Sequence, residues 1–223
     1  AAKSLGASHM TAVIPWMGYS KQDKAFRRGE AVSASLVAKF IEVAGFDAVM
    51  TVELHSENVV PFFHIPVTEL STHDILNSSL KRFNLLGTVV ISPDAGGKSR
   101  SVRFAKMMGV PIIYLTKDRN KASGKVKVTG INGDVRGKDV VIFDDIINTG
   151  ATAIKTSQFL KGRGAKRILF LATHAVLAGD ASAKLAASPI DRIVVTDTIV
   201  VPKEKRFEKL TIVSVASLLA NAL

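Results

Sequence analysis

Asp144 and Asp145 stand side by side after the apolar run Val140-Val141-Ile142-Phe143, and the polar stretch Asn148-Thr149-Gly150-Ala151-Thr152 follows closely. Adjacent carboxylates can accept hydrogen bonds from vicinal sugar hydroxyls. Small and hydroxyl-bearing residues that open a helix can donate to a phosphate, because the first N–H groups of a helix are unpaired and its dipole is positive there. Acids and cradle at this spacing are what a ribose 5-phosphate requires. A carboxylate pair at a solvent-facing turn is common by itself; the flanking residues make this one informative.

Positioning such a site takes a buried strand that delivers the acids and a helix that starts just beyond them. Residues 140–143, β-branched or aromatic without polar alternation, suit a strand covered on both faces. The acids are then expected at its carboxyl end, where doubly wound sheets hold ligands. Further strands are expected at 11–15, 47–53, 88–92, 111–116, 139–143, 166–173, 192–197 and 211–213. Helices are expected at 33–44, 74–83, 98–108, 152–163 and 214–222, the first with Leu36, Val37, Phe40 and Ile41 as its core stripe and Gly45 as its stop. This alternation predicts an α/β fold with a mostly parallel sheet. The softest boundary lies at 66–72, where two lobes would meet. Residues 117–128, polar and without apolar period, read as a mobile loop.

Composition narrows the function. The chain has 223 residues, 47% of them hydrophobic, enough for a sizeable core. It has no cysteine, which removes disulfide and thiolate chemistry and fits a reducing cytoplasmic setting. No apolar run approaches the roughly 20 residues of a membrane span. The net charge is +11, and residues 98–138 hold eleven Lys or Arg against two acids, a local net of +9. Only Phe104 and Tyr114 are aromatic there, so base stacking is poorly provided for and small polyphosphates suit the excess better than nucleic acid. Gly97-Lys98-Ser99 has the tail of a P-loop but Ser92 stands where its first glycine belongs, which excludes that motif. His9, His64, His73 and His174 show no metal-ligand spacing.

The acid pair with its hydroxyl run resembles the phosphoribosyltransferase fingerprint. Four more stretches narrow the resemblance: Gly18-Tyr19-Ser20-Lys21-Gln22-Asp23-Lys24, Glu53-Leu54-His55-Ser56, Ser92-Pro93-Asp94-Ala95-Gly96-Gly97 and Lys117-Asp118-Arg119. With Phe62-Phe63-His64-Ile65-Pro66-Val67, Thr173-His174 and Val195-Thr196-Asp197-Thr198 they lie in the order of the ribose-phosphate diphosphokinase (phosphoribosyl pyrophosphate synthetase) family. The resemblance implies two phosphoribosyltransferase-like lobes with mostly parallel sheets flanked by helices, an incomplete ATP-side lobe at 1–70 and a second lobe at 71–223. It implies magnesium-dependent transfer of the diphosphoryl group of ATP to the C1 hydroxyl of ribose 5-phosphate, in a cytoplasmic homo-oligomer without nucleic-acid or membrane partners. Residue by residue, it makes Lys117 and Arg119 catalytic and gives Lys21, Gln22, Asp23 and His55 to ATP. His55 and Asp94 would bind magnesium, and Asp144, Asp145, Asn148, Thr149, Gly150, Ala151 and Thr152 ribose 5-phosphate.

The sequence departs from the family at Glu53 and Asn148, where Asp is common, and at Lys21, where Arg is common. The family's amino-terminal strand–helix segment, with its Phe-Ser-Asp-Gly-Glu loop, has no counterpart ahead of the first expected strand. Two other functions fit parts of the pattern: a non-catalytic, regulatory subunit of such a synthetase, and a phosphoribosyltransferase acting on a nucleobase. The latter leaves Lys21, Gln22, His55, Lys117 and Arg119 without a role.

Overall fold

The computed structural model describes residues 1–81, 83, 85–93, 97–119 and 126–223, with positions 117–119, 126 and 127 in backbone only. They divide into two compact units, 1–72 with 216–223, and 73–215. Residues 216–223, which the sequence reading places in the second lobe, group with the first unit.

The first unit is a parallel three-stranded sheet in the order β1 (Thr11–Ile14), β2 (Ala48–Val52), β3 (Val67–Leu70). Helix α1 (Ser33–Val43) covers it through Ala34, Val37, Ala38 and Ile41, together with Val59 and Phe63 from the segment after β2. Leu36 and Phe40, expected on the core stripe, are instead exposed. The two alanines form the close-packed seam because small side chains let a helix lie near a sheet, and that rotates the larger neighbours outward. Strand β3 is not among the strands expected from the sequence and falls within the 66–72 boundary. Its alternation is hidden because both Thr68 and Glu69 are exposed.

The second unit holds α2 (His73–Ser79), β4 (Val89–Ser92), α3 (Lys98–Met108), β5 (Ile112–Arg119), β6 (Val126–Ile131), β7 (Asp139–Ile147), α4 (Ala151–Gly162), β8 (Arg167–Ala175), α5 (Ala181–Ala186), β9 (Arg192–Thr196) and β10 (Leu210–Val213); α6 (Ala216–Ala220) follows in the first unit. The sheet order is β10-β9-β8-β7-β4-β5-β6, with every neighbouring pair parallel except β5 and β6. Two expectations fail here. The segment expected to be a mobile loop contributes Lys117 to Arg119 to β5, where backbone positions 117–119 pair with 126–128 after an irregularity at Thr116/Lys117; residues 120–125 lie outside the described set. Strand β7 does not stop at Phe143 but runs to Ile147, because β8 extends alongside it to Ala175 and keeps the ladder paired.

Alternation along β7 builds a three-layer core. Val140 and Ile142 join Ala153 and Leu160 of α4 on one face. Val141 and Phe143 join Leu76 of α2 and Phe104 of α3 on the other, where the Phe104 and Phe143 rings stack at 4.6 Å. The chain order of strands reverses between β4 and β7. Both strands are therefore followed by helices that cover opposite faces, and their carboxyl ends flank the switch point where such sheets bind ligands.

The near end of β7 is pinned by a charge pair. Asp139 accepts from Arg167 Nε at 2.9 Å and from its Nη2, the two residues being partners in the β7–β8 register. The Arg167 hydrogen bonds hold the Asp139 carboxyl below its usual range against the opposing effect of burial. A depressed folded-state value means that this stabilisation is present above the unfolded value and is lost as pH falls through the folded one. Arg167→Met should therefore lower stability by about 1 kcal/mol at pH 7, as expected for a partly exposed pair. Urea midpoints should show the difference from the parent shrinking as the pH drops into the acid range.

Candidate functional site

At the switch point, β4 ends at Ser92 and pairs with β7 only through Val89, Val90 and Ile91 against Val140, Val141 and Ile142. Among the described residues β4 gives β7 no partner from Phe143 onward, and it is along this stretch that Asp144 and Asp145 lie. The Asp145 N–H donates to Asp144 Oδ1 at 3.0 Å. Arg100, in the first turn of α3, brings Nη1 to 2.5 Å from Asp145 Oδ1 and 3.4 Å from Asp144 Oδ1. Both acids are thus inside the strand rather than beyond it, and a buried arginine spans them.

The turn that follows opens α4. Gly150 is its N-cap at φ 74°, and the first helical hydrogen bond runs from Ile154 N to Gly150 O at 2.9 Å. The N–H groups of Ala151, Thr152 and Ala153 consequently precede the helical ladder. Asn148, Thr149, Ala151 and Thr152 are exposed, whereas Gly150 is buried. The Asn148 carbonyl is tied down by Ala178 N at 2.9 Å, so the turn is fixed from beneath. A Cβ at Gly150 would sit 3.0 Å from Leu185 Cγ on α5 and would need the left-handed region. Gly150→Ala should cost about 1–2 kcal/mol of stability from the backbone conformation, read as a lower urea midpoint.

A second group of the expected residues lies in the first unit. Lys21 and Gln22 are exposed and Asp23 is buried. Asn58 Nδ2 donates to Asp23 Oδ2 at 3.0 Å, joining the Lys21-Gln22-Asp23 turn to the segment that carries His55. Burial opposes the charge on Asp23, but hydrogen bonds from Asn58 and Ser56, with Lys24 adjacent, hold its carboxyl below the ordinary range. It therefore stays ionised as an acceptor. His55 is half-buried. It emerges from a turn in which Glu53 takes φ 41°, rare for a residue with a Cβ. The Glu53 carboxylate secures that turn by accepting from Ser71 Oγ at 2.7 Å and Thr72 N at 3.1 Å, while Glu69 Oε1 accepts from Leu54 N at 2.8 Å.

The structure therefore brings Lys21, Gln22 and Asp23 beside the His55 segment, and Asp144 and Asp145 beside the 148–152 turn. Asp94 and the Lys117 and Arg119 side chains lie outside the described residues. Sequence reasoning missed Arg100, Asn58 and the latching role of Glu53. Glu53 was noted only as a departure from Asp; Arg100 and Asn58 act over separations of 45 and 35 residues that no local motif spans.

Strand order, switch point and an acid pair above an open helix terminus define the class: an α/β protein of the phosphoribosyltransferase type. Comparison with known sequences makes this specific. Residues 92–223 match the family described as the phosphoribosyl synthetase-associated domain, and residues 1–45 match the N-terminal domain of ribose phosphate pyrophosphokinase. The chain is 43% identical over 200 residues to the ribose-phosphate pyrophosphokinase of Ralstonia nicotianae, covering 89% of this chain and 63% of that protein. It is 39% identical over 225 residues to that of Vibrio cholerae, covering 100% of this chain and 72% of the relative. Phosphoribosylpyrophosphate synthetase from Mycobacterium smegmatis superposes with a TM-score of 0.91 at 34% identity, over 99% of this chain and 72% of that one. The chain belongs to the ribose-phosphate pyrophosphokinase family. It spans between 63% and 72% of the length of these relatives.

Proposed function

We propose that this protein transfers the diphosphoryl group of ATP to the C1 hydroxyl of ribose 5-phosphate, releasing AMP and phosphoribosyl pyrophosphate for nucleotide synthesis. The observation that carries the reading is the strand–turn–helix at the switch point, with a carboxylate pair directly before an exposed turn that is rich in backbone and hydroxyl donors. In this reading the acid pair serves the ribose hydroxyls. The 5-phosphate lies on the turn, held by residues 148–152 and the hydroxyls of Thr149 and Thr152, where the helix dipole favours an anion.

Lys21 and Gln22, steadied by Asp23, take the ATP together with His55. The reaction requires the C1 oxygen to attack the β-phosphorus in line as the bond to the α-phosphate oxygen breaks. The C1 hydroxyl loses its proton and AMP departs. A hydroxyl is a weak nucleophile, so the rate must come from alignment and from cations that counter charge on the equatorial oxygens. Lys117 and Arg119 are assigned that task.

Among the described residues no group of three or more His, Asp or Glu side chains could hold a metal ion unaided. His55 supplies one donor, and a cation here would take most of its ligands from polyphosphate oxygens, as magnesium prefers. His55 and Asp94 would hold magnesium, which when bound would neutralise phosphate charge. No helix among the described residues is long and apolar enough to cross a membrane.

The test is direct. Purified protein supplied with ATP, magnesium and ribose 5-phosphate should form AMP only when the sugar phosphate is present. Protein that retains its far-UV circular dichroism yet forms no AMP would contradict the reading.

A further inference from the structure

We propose that the two acids of the pair do different work: Asp145 is the buried anchor of Arg100, Asp144 is the acceptor that meets the sugar, and Arg100 is the positioning residue that holds it there. This rests on the reading of the site as a ribose 5-phosphate site and adds a residue to it.

Three observations agree. Asp145 meets Arg100 of α3, the helix that packs on the face of Val141 and Phe143. Residue 144 falls on the face of Val140 and Ile142, shared with α4, whose amino end is the proposed phosphate cradle. Burial follows the same division: the side chain of Asp145 is 4% exposed and that of Arg100 8%, but that of Asp144 is 18%. The contact lengths do too, with the guanidinium close to Asp145 and only at the edge of hydrogen-bonding range to Asp144.

The consequence is electrostatic as well as geometric. Two adjacent carboxylates repel each other, and a cation shared between them offsets that repulsion. Arg100 Nη1 lies between the two Oδ1 atoms and screens that repulsion. Asp144 Oδ1 is further fixed by the Asp145 N–H. Asp144 is thereby held in one orientation before the sugar arrives, so less ordering is left for binding to accomplish. Because Arg100 is in the first turn of α3, the helix that follows β4, the same side chain ties together the two strand ends that flank the switch point.

The test is calorimetric titration of ribose 5-phosphate, with the ATP dissociation constant and thermal unfolding measured alongside. The proteins are the parent, Arg100→Lys, Arg100→Met and the double variant Arg100→Met with Asp145→Leu. Removing Arg100 alone strands a buried carboxylate and can unfold the protein; the double variant removes both charges and should restore the melting temperature. We expect Arg100→Met, or the double variant in its place, to weaken sugar-phosphate binding by about tenfold or more, with ATP binding within about twofold. Arg100→Lys should recover most of the loss, since an ammonium can still pair with Asp145. Sugar-phosphate affinity in the double variant within about twofold of the parent overturns the positioning role, as does a parallel fall in both ligands' affinities or no recovery with lysine. Failure of the parent itself to bind ribose 5-phosphate overturns the functional reading along with this one, whereas a binding parent with indifferent variants overturns only this one.

Discussion

Lys117→Ala is expected to lower kcat by about 10³-fold while leaving the ATP dissociation constant within about threefold of the parent. The asymmetry follows from the role assigned to the side chain. In the proposed site, Lys21 and magnesium would already counter the polyphosphate charge in the ground state. As the β-phosphorus transfers, charge builds on its equatorial oxygens, and a cation aimed at them acts mainly at that point. Loss of an interaction made only in the transition state lowers kcat and kcat/KM together and leaves binding alone. Lys117→Arg should recover part of the rate, because the charge is kept and its geometry changed. Rapid-quench measurement of AMP formation, paired with equilibrium binding of ATP, separates the two quantities. A lysine whose removal weakens ATP binding as much as it slows turnover is a ground-state ligand and not the catalytic cation.

Asp144→Ala is expected to behave in the opposite way on the sugar side. It removes the more exposed acid of the pair, which in this account accepts from the ribose hydroxyls before and during reaction. Hydrogen bonds to a charged acceptor typically contribute about 1.5–3 kcal/mol, so the ribose 5-phosphate dissociation constant should rise on the order of ten- to hundredfold. ATP binding and the melting temperature should change little, because Asp145, the closer of the two acids to Arg100, is retained. Titration calorimetry with each ligand reads this directly. Equal weakening of both ligands would mean that the substitution has disturbed the sheet end as a whole.

Parts of this molecule are legible in the sequence. The central strands were, because parallel strands covered by helices on both faces require uninterrupted apolar runs, and Val140 to Phe143 and Ile168 to Ala172 are such runs. The turn at 148–152 was, because a glycine followed by small residues is what a tight strand-to-helix turn needs, and Gly150 takes a positive φ there. What was missed depends on pairing across distance. The extension of β7 through the two acids is set by β8 alongside it, and two consecutive acids after an apolar run mimic a strand end. Strand β6 is polar because, among the described residues, it is the edge strand of its sheet. The core seam of α1 was misplaced for a simpler reason. Its largest apolar residues, Leu36 and Phe40, outweigh two alanines in any count of hydrophobic side chains, yet close packing selects the alanines.

The positioning residues were the least visible of all. Nothing local distinguishes Arg100 from the ten other basic residues between 98 and 138. Only the fold places it against Asp145. Asn58 and Glu53 behave similarly: each secures a stretch that a motif had identified, and each does so through a partner 18 to 35 residues away. Motifs report the groups that meet substrate. The groups that hold them in place become evident only when strands and helices are assembled.

The central claim is that two phosphoryl groups pass together from nucleotide to sugar, and labelled ATP tests it most directly. With [β-³²P]ATP, magnesium and ribose 5-phosphate, this account predicts that label leaves the nucleotide and appears in the diphosphate on C1, with one unlabelled AMP formed for each. Label retained in ADP, or a sugar product carrying a single transferred phosphate, would contradict it.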